Sequence, residues 1–264
     1  MKSRIKNIYD HVEEELDAII IYNSIEPHLD KTFFYATGLT NGLFENCVLV
    51  LYPDHSAEML ISKLEADSAK KSDIPMETME SKDDLEGWLE NKVGGLDNIG
   101  INASELTHKG FMTIKDSTDS EIKDISNAIV EARNRKDEKE IELLDKAGTI
   151  ASDVAEKMTD MIEIGIREYE IAAEISYLMR KKGANGEAFE IISSSGPNTA
   201  EPHYTSGKRK VENGDFVLLD FGALYKQYRS DITRTYVVGE ASHRQKKMYE
   251  TVLKAQEESL KMIK

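Results

Sequence analysis

The sequence predicts an α/β (α+β) chain in two parts: an N-terminal mixed sheet flanked by helices, then a helical pair leading into a β-hairpin. Three observations predict it. Strand-length apolar runs alternate with a helical pattern through the first half, a charged stretch at 131–140 interrupts them, and β-branched and aromatic segments flank a polar turn near the end.

The first strand is the apolar run Ala18-Ile19-Ile20-Ile21 closing at Tyr22, with Asn23-Ser24 as its stop. A second spans 47–52 and is ended by Pro53-Asp54; short strands at 58–61 and 98–101 follow, the last after Gly94-Gly95. Between them, 83–93 places Leu85, Trp88 and Leu89 on one helical face, where Trp88 belongs to a core. Cys47, at the head of an apolar run, reads as a small buried hydrophobe.

The charged run Glu131-Ala132-Arg133-Asn134-Arg135-Lys136-Asp137-Glu138-Lys139-Glu140 reads as a linker entering a helix, and divides the chain into 1–136 and 137–264. Beyond it Ile141, Leu144, Ile150, Val154, Met158 and Met161 recur near the helical period. A second helix over 168–182 stops at Gly183.

Composition excludes several classes. The chain has 264 residues, 40% hydrophobic and 31% charged, as in an ordinary globular protein. No apolar run approaches the roughly 20 residues that cross a bilayer, and Met1-Lys2-Ser3-Arg4-Ile5-Lys6 leads into acidic residues, without the apolar core of a secretion signal. A single cysteine excludes an intrachain disulfide and fits the cytoplasm. The net charge of −15 argues against nucleic acid and anionic membrane as partners. Lys208-Arg209-Lys210, the one basic cluster, reads as a solvated loop.

The chemistry lies in 214–239. Phe216-Val217-Leu218-Leu219-Asp220-Phe221 and Ile232-Thr233-Arg234-Thr235-Tyr236-Val237 are strand-like, so the segment reads as an antiparallel hairpin. A tip centred between Tyr225 and Lys226 sets Asp220 directly opposite Asp231, with Cβ atoms about 4.5–5.5 Å apart. Two ionised carboxylates at that distance repel unless one takes a proton or a cation lies between them. The other reading makes Asp220 a turn cap and Asp231 a surface strand start. Against it, Asp is disfavoured inside strands, and Asp220 ends the most apolar run of the region.

Leu219-Asp220-Phe221-Gly222-Ala223, followed by Asp231-Ile232-Thr233-Arg234-Thr235, resembles the first two metal-ligand motifs of the prolidase and aminopeptidase P family, whose fold is the pita-bread fold. The segment from Ile192 through Ser195-Gly196-Pro197-Asn198 to Pro202-His203-Tyr204 resembles the family segment that delivers a substrate-contacting histidine. More weakly, Phe33-Phe34-Tyr35-Ala36-Thr37-Gly38-Leu39 resembles a turn of the family's N-terminal domain, and 135–141 its entry into the catalytic domain.

The resemblance implies a metal-dependent exopeptidase acting on Xaa-Pro bonds. Asp220 and Asp231 are then ligands of two divalent ions, Mn²⁺ first and Co²⁺ or Zn²⁺ next, and His203 contacts substrate or relays a proton. Proline-containing peptides or dipeptides are the implied substrates, and a homodimer the implied assembly. The family completes its site with a histidine and two glutamates further on, for which this chain gives no place. It ends at Lys264 within an apolar-striped helix carrying Met248, Val252, Leu253, Leu260 and Ile263, and His243 at that helix's start reads as surface. The expectation is a C-terminally truncated chain with an incomplete pita-bread domain, inactive by itself. The alternative is a non-catalytic peptide- or protein-binding module on the same fold, which retention of both aspartates disfavours. The long N-terminal part and the Asp-Ile-Thr-Arg-Thr wording disfavour methionine aminopeptidase, and the retained aspartates disfavour creatinase.

Overall fold

A computed structural model describes residues 2–263, and the chain divides between Asp137 and Glu138 into two compact units. In the first, helix α1 (Lys2–Tyr9) precedes β1 (Ala18–Tyr22), α2 (Lys31–Thr37), β2 (Val48–Leu51), β3 (Ala57–Ser62), α3 (Ala66–Ala69) and β4 (Met76–Met79). Then come α4 (Lys82–Val93), β5 (Asn98–Ile101), α5 (His108–Asp116), β6 (Glu121–Asp124) and α6 (Ser126–Asn134). The strands form one sheet in the order β4-β3-β2-β1-β5-β6. β2 pairs antiparallel with β1 and β3, whereas β5 runs parallel to β1 and β6 and β4 parallel to β3, so the sheet is mixed.

The unbroken apolar runs of β1 and β2 follow from burial on both faces. Ile19, Ile21, Leu49, Leu51 and Met59 pack on one side with Ile5, Phe33, Ile129 and Ala132. Ala18, Ile20, Val48 and Val50 pack on the other with Leu85, Trp88, Leu89 and Ile114. Trp88 is core as expected, its indole N–H donating to Glu77 at 2.9 Å. Cys47 is buried, which pushes its thiol up to about 12.

The segment 33–39, expected as a turn, is instead mostly helix. Asp30 caps α2 by accepting from the Thr32 N–H at 2.8 Å, and the turn is confined to Gly38, at φ +72° where a side chain would be strained. Three apolar residues in a row, Phe33 to Tyr35, are buried on this short helix, which hides helical periodicity.

The second unit begins with α7 (Glu138–Met161) and α8 (Glu168–Lys181), followed by β7 (Gly186–Glu187), β8 (Ile192–Ser195), β9 (Phe216–Phe221), β10 (Ala223–Tyr225), β11 (Tyr228–Arg229), β12 (Ile232–Val237) and α9 (His243–Lys261). Gly183, at φ +99°, ends α8, and the Ala184 N–H reaches back to the Met179 carbonyl at 3.0 Å. Two three-stranded sheets form, β12-β9-β8 and β11-β10-β7. Burial alternates along β9: Val217, Leu219 and Phe221 are buried against Ile150, Val154, Ile171 and Ile175 of the helices. Phe216, Leu218 and Asp220 point to the opposite face. One sheet face is core, and the other is free to carry chemistry.

The hairpin forms, but its register is one turn position away from expectation. The tip is centred between Lys226 and Gln227, so Tyr225 opposes Tyr228 and Asp220 opposes Thr233 rather than Asp231. A two-residue hairpin turn of this type needs φ > 0 at both central residues, and Lys226 and Gln227 take it at +48° and +73°. Centring the turn one residue earlier would force the aromatic Tyr225 into that region. Replacing Lys226-Gln227 by Asn-Gly, which adopts these angles with less strain, is expected to stabilise the unit by about 1 kcal/mol, read as a higher urea midpoint at unchanged slope.

Along α9, capped by Ser242, no residue is buried; Met248, Val252, Leu253 and Leu260 are exposed, as is His243 at its first position. None of the described helices is long and apolar enough to cross a membrane.

Candidate functional site

Asp220, half-buried, stands one residue before the end of β9, on the face away from the helices. Its Oδ1 accepts from the Thr233 hydroxyl at 2.8 Å, which fixes one carboxylate oxygen and leaves the other open. Asp231 is exposed and precedes β12 by one residue. Alternation carried one residue beyond β12 would give it the face of Thr233 and Asp220, but Asp231 lies outside the paired strand, where the hairpin crosses. The shift in register means that the two acids are not directly opposed; in a regular ladder they would be diagonal neighbours about 7–8 Å apart.

Between the two acids the strands pinch together. Extending the register puts Gly222 across from Asp231, and a Cβ built on Gly222 would lie 1.8 Å from the Ser230 carbonyl oxygen. On the other side the Gly222 carbonyl accepts from the Ala188 N–H at 2.8 Å. Ser230 closes the crossing, its N–H donating to the Ala223 carbonyl and its Oγ accepting from the Ala223 N–H, both at 3.0 Å. Glycine is required here by proximity alone.

His203 lies exposed on the loop after the short helical turn Gly196–Ala200, and makes no hydrogen bond among the described residues. Its surroundings are far more ordered than its own exposure suggests. Glu168, the first residue of α8, is fully buried and accepts hydrogen bonds from Ser195, Asn198, Tyr204 and Gly207. Burial pushes its carboxyl up, but hydrogen bonds led by those from Ser195, Tyr204 and Asn198 outweigh that and hold it below the usual glutamate range. The basic cluster is also more than a solvated loop. Lys208 and Lys210 are exposed, whereas Arg209 donates to Asp215 at 2.5 Å and to the Ser195 hydroxyl at 2.7 Å. Neither Glu168 nor Arg209 carried a signal in the sequence: an acid in a helix's first turn is ordinary dipole pairing, and a basic triplet does not reveal the carboxylate that returns to it.

Comparison with known proteins decides the family. A model of the creatinase/prolidase N-terminal domain matches residues 4–135, and one of metallopeptidase family M24 matches 142–264. The Xaa-Pro dipeptidase of Pyrococcus horikoshii is 34% identical over 270 residues, covering 100% of this chain and 72% of the relative. The chain belongs to metallopeptidase family M24. Among solved structures of M24-like architecture, the prolidase from Pyrococcus horikoshii OT3 superposes with a TM-score of 0.84 at 33% identity, covering 97% of this chain and 71% of that one. The X-Pro aminopeptidase from Thermotoga maritima gives 0.85 at 30% identity, covering 94% and 70%. The fold is therefore the α/β arrangement expected, with the second unit of pita-bread type, and this M24 chain spans about 72% of the dipeptidase's length. As an M24 member it is a metallopeptidase by family, and divalent ions are implied.

Proposed function

We propose that the protein is a metal-dependent exopeptidase that hydrolyses Xaa-Pro bonds at peptide N-termini, as a dipeptidase or an aminopeptidase. What supports this reading is the retention of both Asp220 and Asp231 on the two limbs of a pinched hairpin, in a chain matched along its whole length by an Xaa-Pro dipeptidase. The proposed catalytic part is 137–264, with 1–136 as the creatinase/prolidase-like domain before it.

The donor set suits a hard divalent ion, since both groups are carboxylates. Among the described residues no cluster of three or more His, Cys, Asp or Glu side chains is assembled for a metal. Asp220 and Asp231 would therefore supply part of a ligand set for two ions, with Mn²⁺ first and Co²⁺ or Zn²⁺ next. When bound, such ions supply hydroxide near neutral pH and polarise a carbonyl. Thr233 holds the Asp220 carboxylate in one orientation, a supporting contact of the kind metal sites depend on. His203, unencumbered on its loop, would contact the substrate carbonyl or carry a proton. A proline-specific pocket is needed because proline lacks an amide hydrogen and fixes φ. We further propose a homodimer and a cytoplasmic location; the lone buried Cys47 supports the latter.

Two carboxylates bind a divalent ion weakly, so the 264-residue polypeptide by itself is proposed to be inactive. A polypeptide carrying these residues within a complete ligand set, with Mn²⁺ added, is expected to cleave Xaa-Pro dipeptides or tripeptides, and the panel distinguishes dipeptidase from aminopeptidase. Full activity in the presence of a strong chelator would remove the metal from the reading. Absence of both bound metal and turnover would make the protein a peptide-binding module.

A further inference from the structure

Glu168 occupies a position where an ionised group is costly unless it is fully partnered. It is 0% exposed, at the first position of α8. Its Oε1 accepts from the Ser195 N–H at 2.7 Å, the Ser195 hydroxyl at 2.8 Å and the Asn198 amide at 3.0 Å. Its Oε2 accepts from the Tyr204 hydroxyl at 2.8 Å and the Gly207 N–H at 3.2 Å. These contacts use essentially all the acceptor capacity of a carboxylate.

The donors are not scattered. Ser195 ends β8 where the loop leaves the sheet, Asn198 lies in its helical turn, Tyr204 directly follows His203, and Gly207 lies where the loop returns. Backbone bonds from the Glu168 N–H to the Arg209 carbonyl and from the Tyr169 N–H to the Gly207 carbonyl, both at 3.2 Å, tie the return limb to the same helix start. A second layer backs the first: Arg209 donates to the Ser195 hydroxyl, which itself donates to Glu168, and is held in turn by Asp215 at the foot of β9. The loop thus closes on one buried carboxylate, and His203 is among its exposed residues, next in the chain to Tyr204.

We infer that Glu168 is a positioning residue, a single-carboxylate clamp that pre-orders the 196–207 loop and so presents His203 in a fixed place. The inference rests on the role proposed for His203. The histidine has no hydrogen bond of its own to locate it, so its placement comes from the backbone on either side. Ordering that backbone before substrate arrives removes an entropic cost from the reacting complex. The neighbouring Tyr204 hydroxyl, which also accepts from Asn198 at 2.8 Å, fixes the residue adjacent to it in the chain.

Hydrogen exchange followed by mass spectrometry on Glu168→Gln tests this. Glutamine keeps the size but turns an N–H₂ toward groups that are themselves donors. Exchange of the 196–207 amides is expected to rise at least ten-fold while the paired amides of β9 and β12 change less than three-fold. Tyr204→Phe, a milder change that leaves the carboxylate in place, is expected to raise exchange at 203–207 several-fold, and provides a reading should Glu168→Gln fail to fold. Unchanged loop exchange in either variant, or an equal rise in the strands, overturns the clamp. Xaa-Pro turnover of His203→Ala judges the histidine separately: full activity there sinks its proposed role while the exchange data still decide the clamp.

Discussion

Gly222→Ala is expected to be the most damaging single-methyl change in the second unit. The added Cβ would stand 1.8 Å from the Ser230 carbonyl oxygen and 2.8 Å from its carbon, with the Ala188 Cβ at 3.0 Å behind it. Backbone atoms cannot swing aside as a side chain can, so relief requires the two limbs of the hairpin to separate. That breaks the paired bonds between Ala223 and Ser230. Overpacking usually costs about 1–3 kcal/mol, and a clash with paired backbone belongs at the upper end, so about 3 kcal/mol is expected. Urea denaturation measures it. Gly148→Ala is the control: it lies within α7 with nothing near its Cβ, and the change should raise stability by roughly 0.5–1 kcal/mol. A Gly222→Ala protein as stable as the parent would mean that the crossing is looser than described. Because Ser230 adjoins Asp231, the same variant should also weaken metal binding, a coupling no distant destabilising change would produce.

What could be read in advance divides along physical lines. β1 and β2 were legible because a strand covered on both faces is apolar throughout. β4 and β6 were not, because they are the sheet's edges, and Met76-Glu77-Thr78-Met79 and Glu121-Ile122-Lys123-Asp124 carry the polar residues that edges tolerate. The hairpin was legible from its β-branched limbs. Its register was not, since it turns on whether Tyr225 or Gln227 accepts a left-handed backbone, a local preference that hydrophobic pattern does not encode. Moving the tip by one residue preserves strand parity, but Asp220 now faces Thr233, and Asp231 falls just outside the paired strand. Glu168 lay outside any sequence argument, because its five donors come from residues 27 to 39 positions away.

Asp231→Asn is expected to separate metal binding from folding, and gives the sharpest test of the proposed ligands. Like charges on one face oppose each other, so a site built to receive a cation is destabilising while empty. Removing one charge should leave the metal-free protein at least as stable as the parent. A ligand that binds only the folded state adds about 2.7 kcal/mol at one hundred times its Kd, so Mn²⁺ should raise the parent's Tm in a concentration-dependent way. In Asp231→Asn, and equally in Asp220→Asn, that rise should vanish over the same range. Thr233→Val keeps both carboxylates but frees the Asp220 oxygen that the hydroxyl holds at 2.8 Å. Loss of such a supporting contact usually costs about 10–100-fold in affinity, so its Tm rise should return at higher Mn²⁺. Thermal unfolding with and without Mn²⁺ reads all four proteins without requiring turnover. An undiminished Mn²⁺ effect in both aspartate variants would mean that cations bind elsewhere and that the two acids are ordinary surface residues. The ordered loss, complete without either acid and partial without the threonine, is the signature of a carboxylate pair that gives up stability to hold a metal.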